Sequence, residues 1–171
     1  AAAGITSEPR CRYRQNGNAL LGAVIGAAIA APFLFYERTD FMSKSAIYTT
    51  NTSAPAVAVD GIIPVGSTAR RYGCNIKQDG NAITLCGNGY YLVNVSATVT
   101  PAAAGTVSVT AQKDGVAIIG ATGSETVAAA ATAVNIGLTA IVRNACGCES
   151  SILSFVVGGA ASVVDNLAVT V

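Results

Sequence analysis

The residues from Ile83 to Val99 constrain the fold more than any other part of the chain. A short strand pattern, Ile83-Thr84-Leu85, runs through Cys86-Gly87-Asn88-Gly89 into a long segment that opens on Tyr90 and Tyr91. Tyr91, Val93, Val95, Ala97 and Val99 share one parity, while Asn94, Ser96 and Thr98 hold the other. Alternation with a period of two marks a strand with one buried face and one solvated face. The glycine-bearing link between the two segments is the turn that such a pair needs.

A second strand pair follows. Thr106 to Lys113 alternates again, with Val107, Val109 and Ala111 on the inward parity. Asp114-Gly115 then supplies the residue pair favoured by a two-residue type I′ turn, and Val116 to Ile119 returns. Elsewhere the chain keeps to short apolar runs divided by turn signals, the spacing of an all-β sandwich. Ala46 to Thr50 is one strand. Val57 to Val65 reads as a strand pair or bulged strand around Asp60-Gly61, and Asp79-Gly80-Asn81 is a turn. Glu125 to Val134 is rich in alanine but has no charged helical face, so it reads as strand and loop. Val134 to Val142, Ile152 to Val157 and Val163 to Val171 complete eight or more strands.

These motifs, taken in order, resemble the complement/tumour-necrosis-factor-like jelly roll. The Gly-Tyr-Tyr strand after "ITL", and the "KDGVAI" hairpin that follows it, carry the likeness over about residues 45–171. It is closest to the small members rich in Ala, Val and Thr found in phage virion proteins and on bacterial spore surfaces, and Cys146-Gly147-Cys148 fits the same group. The resemblance implies an antiparallel two-sheet sandwich acting as a trimerising building block or binding head. It implies no enzyme.

Composition points the same way. Charged residues make up 11 % of the chain and the formal charge is +1, so no global field draws nucleic acid. A surface so poor in charge is a solubility risk for a free monomer, and cover by neighbouring subunits is expected. Histidine is absent, which removes the commonest general base and metal ligand. No nucleophile, Walker or dinucleotide motif organises the nine carboxylates. A glycosidase would need two facing carboxylates, for which Asp114 and Glu125 are the candidates. No cofactor is implied.

Residues 1–41 differ from the rest. Arg10, Arg12 and Arg14 alternate with Cys11 and Tyr13 before an uncharged run whose centre is Ala19 to Tyr36. That run just reaches the length of a membrane-spanning helix. Leu20, Leu21, Phe33 and Phe35 give it apolar mass, and Gly22 and Gly26 have the spacing that lets helices approach closely. A signal peptide with Ala28-Ile29-Ala30 at its cleavage site, a membrane anchor through residues 19–36, and an arm buried among other subunits compete for this segment. High alanine and glycine content, with Pro32 in the last turn, favours the buried arm or helix. The expected organisation is an assembly arm over residues 1–41 and a jelly-roll domain over residues 42–171.

The five cysteines are Cys11, Cys74, Cys86, Cys146 and Cys148. An odd count outside the cytosol points to an unpaired thiol or an intermolecular bridge. Buried reduced thiols are the plain reading. The sharper one bridges Cys11, on its basic arm, to Cys146 or Cys148 of a neighbour. No C-x₂-C pair is present, so no zinc site is expected. Arg70 and Arg71 read as a solvated loop pair, with a sulfated or phosphorylated sugar as the alternative. Tyr90 and Tyr91 read as core and trimer packing, with sugar stacking as the alternative.

The expected function is structural: a trimeric head on a phage fibre, spike or decoration protein, tethered by its arm to other structural subunits at the virion surface. The alternatives are an extracellular filament on a bacterial cell or spore, joined by arm exchange, and a module that binds a host receptor or glycan. Polar loop residues from Arg143 to Ser151 would mark the last of these.

Overall fold

A computed structural model describes residues 44–145 and 150–171. All eleven regular elements among them are strands. In chain order they are β1 (Ala46–Asn51), β2 (Ala56–Val57), β3 (Ser67–Tyr72), β4 (Ile76–Asp79), β5 (Ala82–Leu85), β6 (Gly89–Pro101), β7 (Gly105–Lys113), β8 (Val116–Val127), β9 (Val134–Asn144), β10 (Ser151–Gly158) and β11 (Ser162–Thr170). They form two antiparallel sheets. One has the order β3-β1-β11-β6-β9 with β2 also on β11, and the other the order β4-β5-β10-β7-β8. The chain passes repeatedly from sheet to sheet, as a jelly roll requires.

The core lies between the sheets, where the inward parities meet. Val93, Val95, Val107 and Val109, whose alternation predicts an inner face, are buried, as are Leu138 and Phe155. Ile47, Ile83, Leu85, Leu153 and Leu167 join them in one cluster. β10 is buried from Leu153 to Val157 on both parities, because Val156 is covered on the outside by a bridge to Ile62.

The hairpin reading holds in detail. Asp114 and Gly115 both have positive φ, 53° and 79°, as a type I′ turn demands. β8 then runs past a bulge, where Ile118 to Ala121 stand against Ala111 alone, and reaches Val127. The segment around Asp60-Gly61 differs from its expected strand pair. Only Ala56–Val57 forms a strand there, and the residues beyond it lie on β10. Asp60 N donates to Val157 O at 2.8 Å and Ile63 N to Phe155 O at 2.8 Å. β5 covers only the first part of this side of β10, so the remaining backbone groups take the passing segment instead.

At one lateral side the two sheets nearly touch. A Cβ added to Gly123 on β8 would stand 2.7 Å from the Gly137 carbonyl oxygen and 2.7 Å from Ile136 Cγ2 on β9. Glycine is what permits this approach.

Candidate assembly surface

The end of the sandwich at which the chain enters β1 is the upper end. Register places there the starts of β1, β4, β6, β8 and β10 and the ends of β3, β5, β7, β9 and β11. The outer face of the β3-β1-β11-β6-β9 sheet changes character toward it. Lower down this face is small and polar, with Thr50, Ser67, Ser96 and Thr98 along its rows. One row up, Arg70, Tyr48, Thr170, Asn94 and Thr139 cross the whole sheet. Above that row Leu92 pairs with Ile141, Tyr90 with Arg143, and Tyr72 with Ala46. Tyr72, Tyr90, Leu92 and Ile141 are 69 %, 73 %, 61 % and 67 % exposed. The Arg143 guanidinium sits 6.0 Å from the centre of the Tyr90 ring, a cation–π contact that holds the ring on this face.

A second apolar element stands beside it. The β7–β8 hairpin tip exposes Val116, and the bulge throws Ile119 wholly into solvent. The hairpin itself is fixed. Asp114 Oδ1 accepts from Ile152 N at 2.7 Å, Asp114 N donates to Ile152 O at 2.8 Å, and Lys113 Nζ donates to Arg143 O at 2.9 Å. The two patches differ in shape, one a flat sheet face and the other a protruding edge. Surfaces of this kind suit a head-to-tail contact, which closes into a ring when the rotation allows.

The two tyrosines divide as their parity requires. Tyr90 points outward, while Tyr91 is buried in the core and donates from its hydroxyl to Gly87 O at 2.8 Å. Burial pushes the Tyr91 phenol above its ordinary value, outweighing the hydrogen bond to Gly87 O, which acts the other way. Arg70 and Arg71 are exposed on β3 rather than in a loop, which makes them charged guards on an edge strand. Asp114 and Glu125 do not face each other. Asp114 is at the hairpin tip and Glu125 pairs with Val107, about 20 Å away along β7. Cys74 and Cys86 are exposed rather than buried.

Cys11, Leu20, Leu21, Gly22, Gly26, Phe33 and Phe35 lie outside the described residues, as do Cys146 and Cys148. Among the described residues no helix is long and apolar enough to cross a membrane, and no group of three or more His, Cys, Asp or Glu is placed to hold a metal ion. Sequence reading missed the apolar pairing of Leu92 with Ile141 and the exposure of Ile119. The outward parity of Leu92 within β6 was a usable signal for the first. The bulge that creates the second is marked by Gly120, whose φ is 77°.

The fold is a jelly roll, similar to that of complement and tumour-necrosis-factor-like domains of known structure. Murine APRIL matches over 74 % of this chain and 97 % of its own length, with a TM-score of 0.56 and 10 % identity. The phage vertex protein P5 of PRD1 matches over 75 % and 95 %, with a TM-score of 0.53 and 13 % identity. The globular domain of zebrafish complement 1qA matches over 74 % and 93 %, with a TM-score of 0.55 and 9 % identity. At such identities the likeness is one of fold. No family model matches the chain, and no curated protein matches it in sequence.

Proposed function

We propose that this protein is a non-enzymatic structural subunit of a phage virion: a jelly-roll head that trimerises and is tethered by residues 1–41. The observation that carries the reading is the outer face of the β3-β1-β11-β6-β9 sheet, where Tyr90, Leu92 and Ile141 stand together on β6 and β9 at the upper end. Single exposed apolar residues are ordinary, but a contiguous group on one face marks a contact surface. A second copy supplies the fitting partner in its hairpin edge, with Val116 and Ile119. The likeness to the vertex protein of a phage supports placing the trimer on a virion. Assembly is then the mechanism: each protomer offers an edge to one neighbour and a face to the other.

Light scattering on the full chain tests this directly. The expected mass is about 51 kDa, three times the 17.0 kDa of one chain. Leu92→Glu with Ile141→Lys should leave the β-sheet circular dichroism intact and give a monomer. A monomeric wild-type chain at micromolar concentration sinks the reading.

A further inference from the structure

The end of the sandwich opposite the entry to β1 is built from four connections, residues 52–55, 102–104, 128–133 and 159–161. Eleven of their sixteen residues are alanine, none is charged, and none is larger than threonine or proline. Backbone hydrogen bonds hold the four side by side. Val164 N donates to Pro55 O at 3.0 Å, Ala102 N to Ala161 O at 2.9 Å, and Ala131 N to Pro101 O at 2.9 Å. The result is one even apolar plateau, with alanine methyls exposed on every connection. A contiguous apolar surface of this kind marks a contact.

Two of the alanines are held where glycine is the ordinary occupant. Ala54 has a φ of 48° and Ala131 a φ of 58°, both in the left-handed region, and both residues are exposed. Their methyls gain little burial within the head, yet each strains its turn. A methyl kept under that strain fits a surface that is covered in the working protein.

Charge is segregated along the sandwich as well. Asp60 bonds through its amide to Val157 O, Glu125 pairs with Val107, and the Asp165 carboxylate accepts from Thr100 Oγ1. These three carboxylates therefore stand around the plateau, about 3–10 Å behind it. The six described cations, Lys44, Arg70, Arg71, Lys77, Lys113 and Arg143, all lie toward the other end.

We propose that the plateau docks on the plateau of a second copy, tip to tip across a two-fold axis. A surface with neither pocket nor knob needs an equally even partner, and the plateau itself is the described surface that is both even and apolar. Such a contact is isologous. Area sets the level of assembly. Four strand spacings across two sheets give a footprint of about 400 Å² per chain. Two single chains then bury about 800 Å² in total, the size of a chance lattice contact, whereas two trimers bury about 2,400 Å². The inference thus rests on the trimer reading and pairs trimers into hexamers. Each chain enters its head at the far end, so the paired heads present their entries in opposite directions. One pair is a link between two anchoring places.

Sedimentation velocity on the full chain tests this, over a range of chain concentration and at low and moderate salt. A hexamer of about 102 kDa, six times 17.0 kDa, should grow from the trimer as concentration rises. Added salt should strengthen the pairing, because it screens the like carboxylates brought together across the contact. Weakening by salt points instead to a basic end stacked on an acidic one and overturns the proposal. Ala103→Glu with Ala130→Glu should give trimers alone, with the β-sheet circular dichroism unchanged. Ala54→Gly with Ala131→Gly adds neither bulk nor charge. It should weaken pairing about tenfold or more while the thermal midpoint holds or rises. A trimer that never pairs overturns this inference and leaves the trimer reading standing. So does a hexamer that persists in the glutamate variant or is undiminished in the glycine variant. A monomeric wild-type chain overturns both.

Discussion

Ser151 Oγ donates to Asn144 Oδ1 at 2.8 Å, joining the first residue of β10 to the last of β9 across the connection between them. Both side chains are buried, and the Asn144 amide spends its two donors on Leu85 O and Gly87 O. One side chain thus ties β9, which belongs to one sheet, to β5 and β10 of the other. Asn144→Ala leaves the Leu85 carbonyl and the Ser151 hydroxyl without this partner in a buried place. The expected loss is about 2–4 kcal/mol, since each buried unsatisfied group costs about 1–3 kcal/mol. Urea denaturation checks it, and a change under about 0.5 kcal/mol would show the tie to be dispensable.

Two glycines that face each other across the sandwich should respond differently to the same substitution. A Cβ on Gly123 meets backbone and a β-branched side chain at 2.7 Å, whereas a Cβ on Gly137 has only Val95 O nearby, at 3.9 Å. Gly123→Ala should destabilise by about 1–3 kcal/mol, because β8 must be pushed off β9. Gly137→Ala should stay within about 0.5 kcal/mol of wild type. Equal thermal midpoints for the two variants would contradict the close approach of the sheets.

Thr49 is fully buried on the inner face of β1, and its hydroxyl has no hydrogen-bond partner among the described residues. Thr49→Val keeps the shape and removes a desolvated polar group. A gain of about 1 kcal/mol is expected, seen as a raised denaturation midpoint with an unchanged slope. A loss of stability would mean that the hydroxyl is satisfied in solution.

How far the sequence speaks depends on whether the deciding interaction is local. The alternation of β6 and the Asp114-Gly115 turn are local, and both appear in the structure as read. β3 carries no alternation, since Ser67 to Tyr72 is exposed on both parities at a sheet edge, and it is not legible as a strand. Residues 60–63 follow their own turn signal in sequence, yet their hydrogen bonds go to β10. The bulge at Asp165 shifts the inward parity of β11 from Val164 to Leu167, and only the register against β6 sets that shift. The bond from Cys86 N to Asn75 O, and those from Asn144 Nδ2 to Leu85 O and Gly87 O, arise from ladder register between elements. Spacing along the chain does not contain that information. The outer apolar face was half legible: the exposed parity of β6 names Tyr90 and Leu92, but only the β6–β9 register sets Ile141 and Arg143 beside them.

Alkaline stability should turn on Tyr91. Burial raises its phenol above the ordinary 10.0 in the folded protein, while the unfolded chain keeps the ordinary value. A raised acid pKa means that the native state holds its proton after the unfolded state has lost it. More protons are then bound in the native than in the unfolded chain, so unfolding free energy falls as pH rises. The contribution is fully present below about pH 10 and is lost as pH climbs through the raised native value. Tyr91→Phe removes this titration. It also removes the hydrogen bond to Gly87 O, but that oxygen keeps its bond from Asn144 Nδ2, so no buried acceptor is stranded. At neutral pH the variant should therefore lose only about 0.5–1.5 kcal/mol. Between pH 9.5 and 11 its stability should fall less steeply than that of wild type, and the two curves should converge. Urea midpoints measured at half-unit steps across that range decide the matter: parallel curves would show that Tyr91 titrates as an ordinary exposed tyrosine.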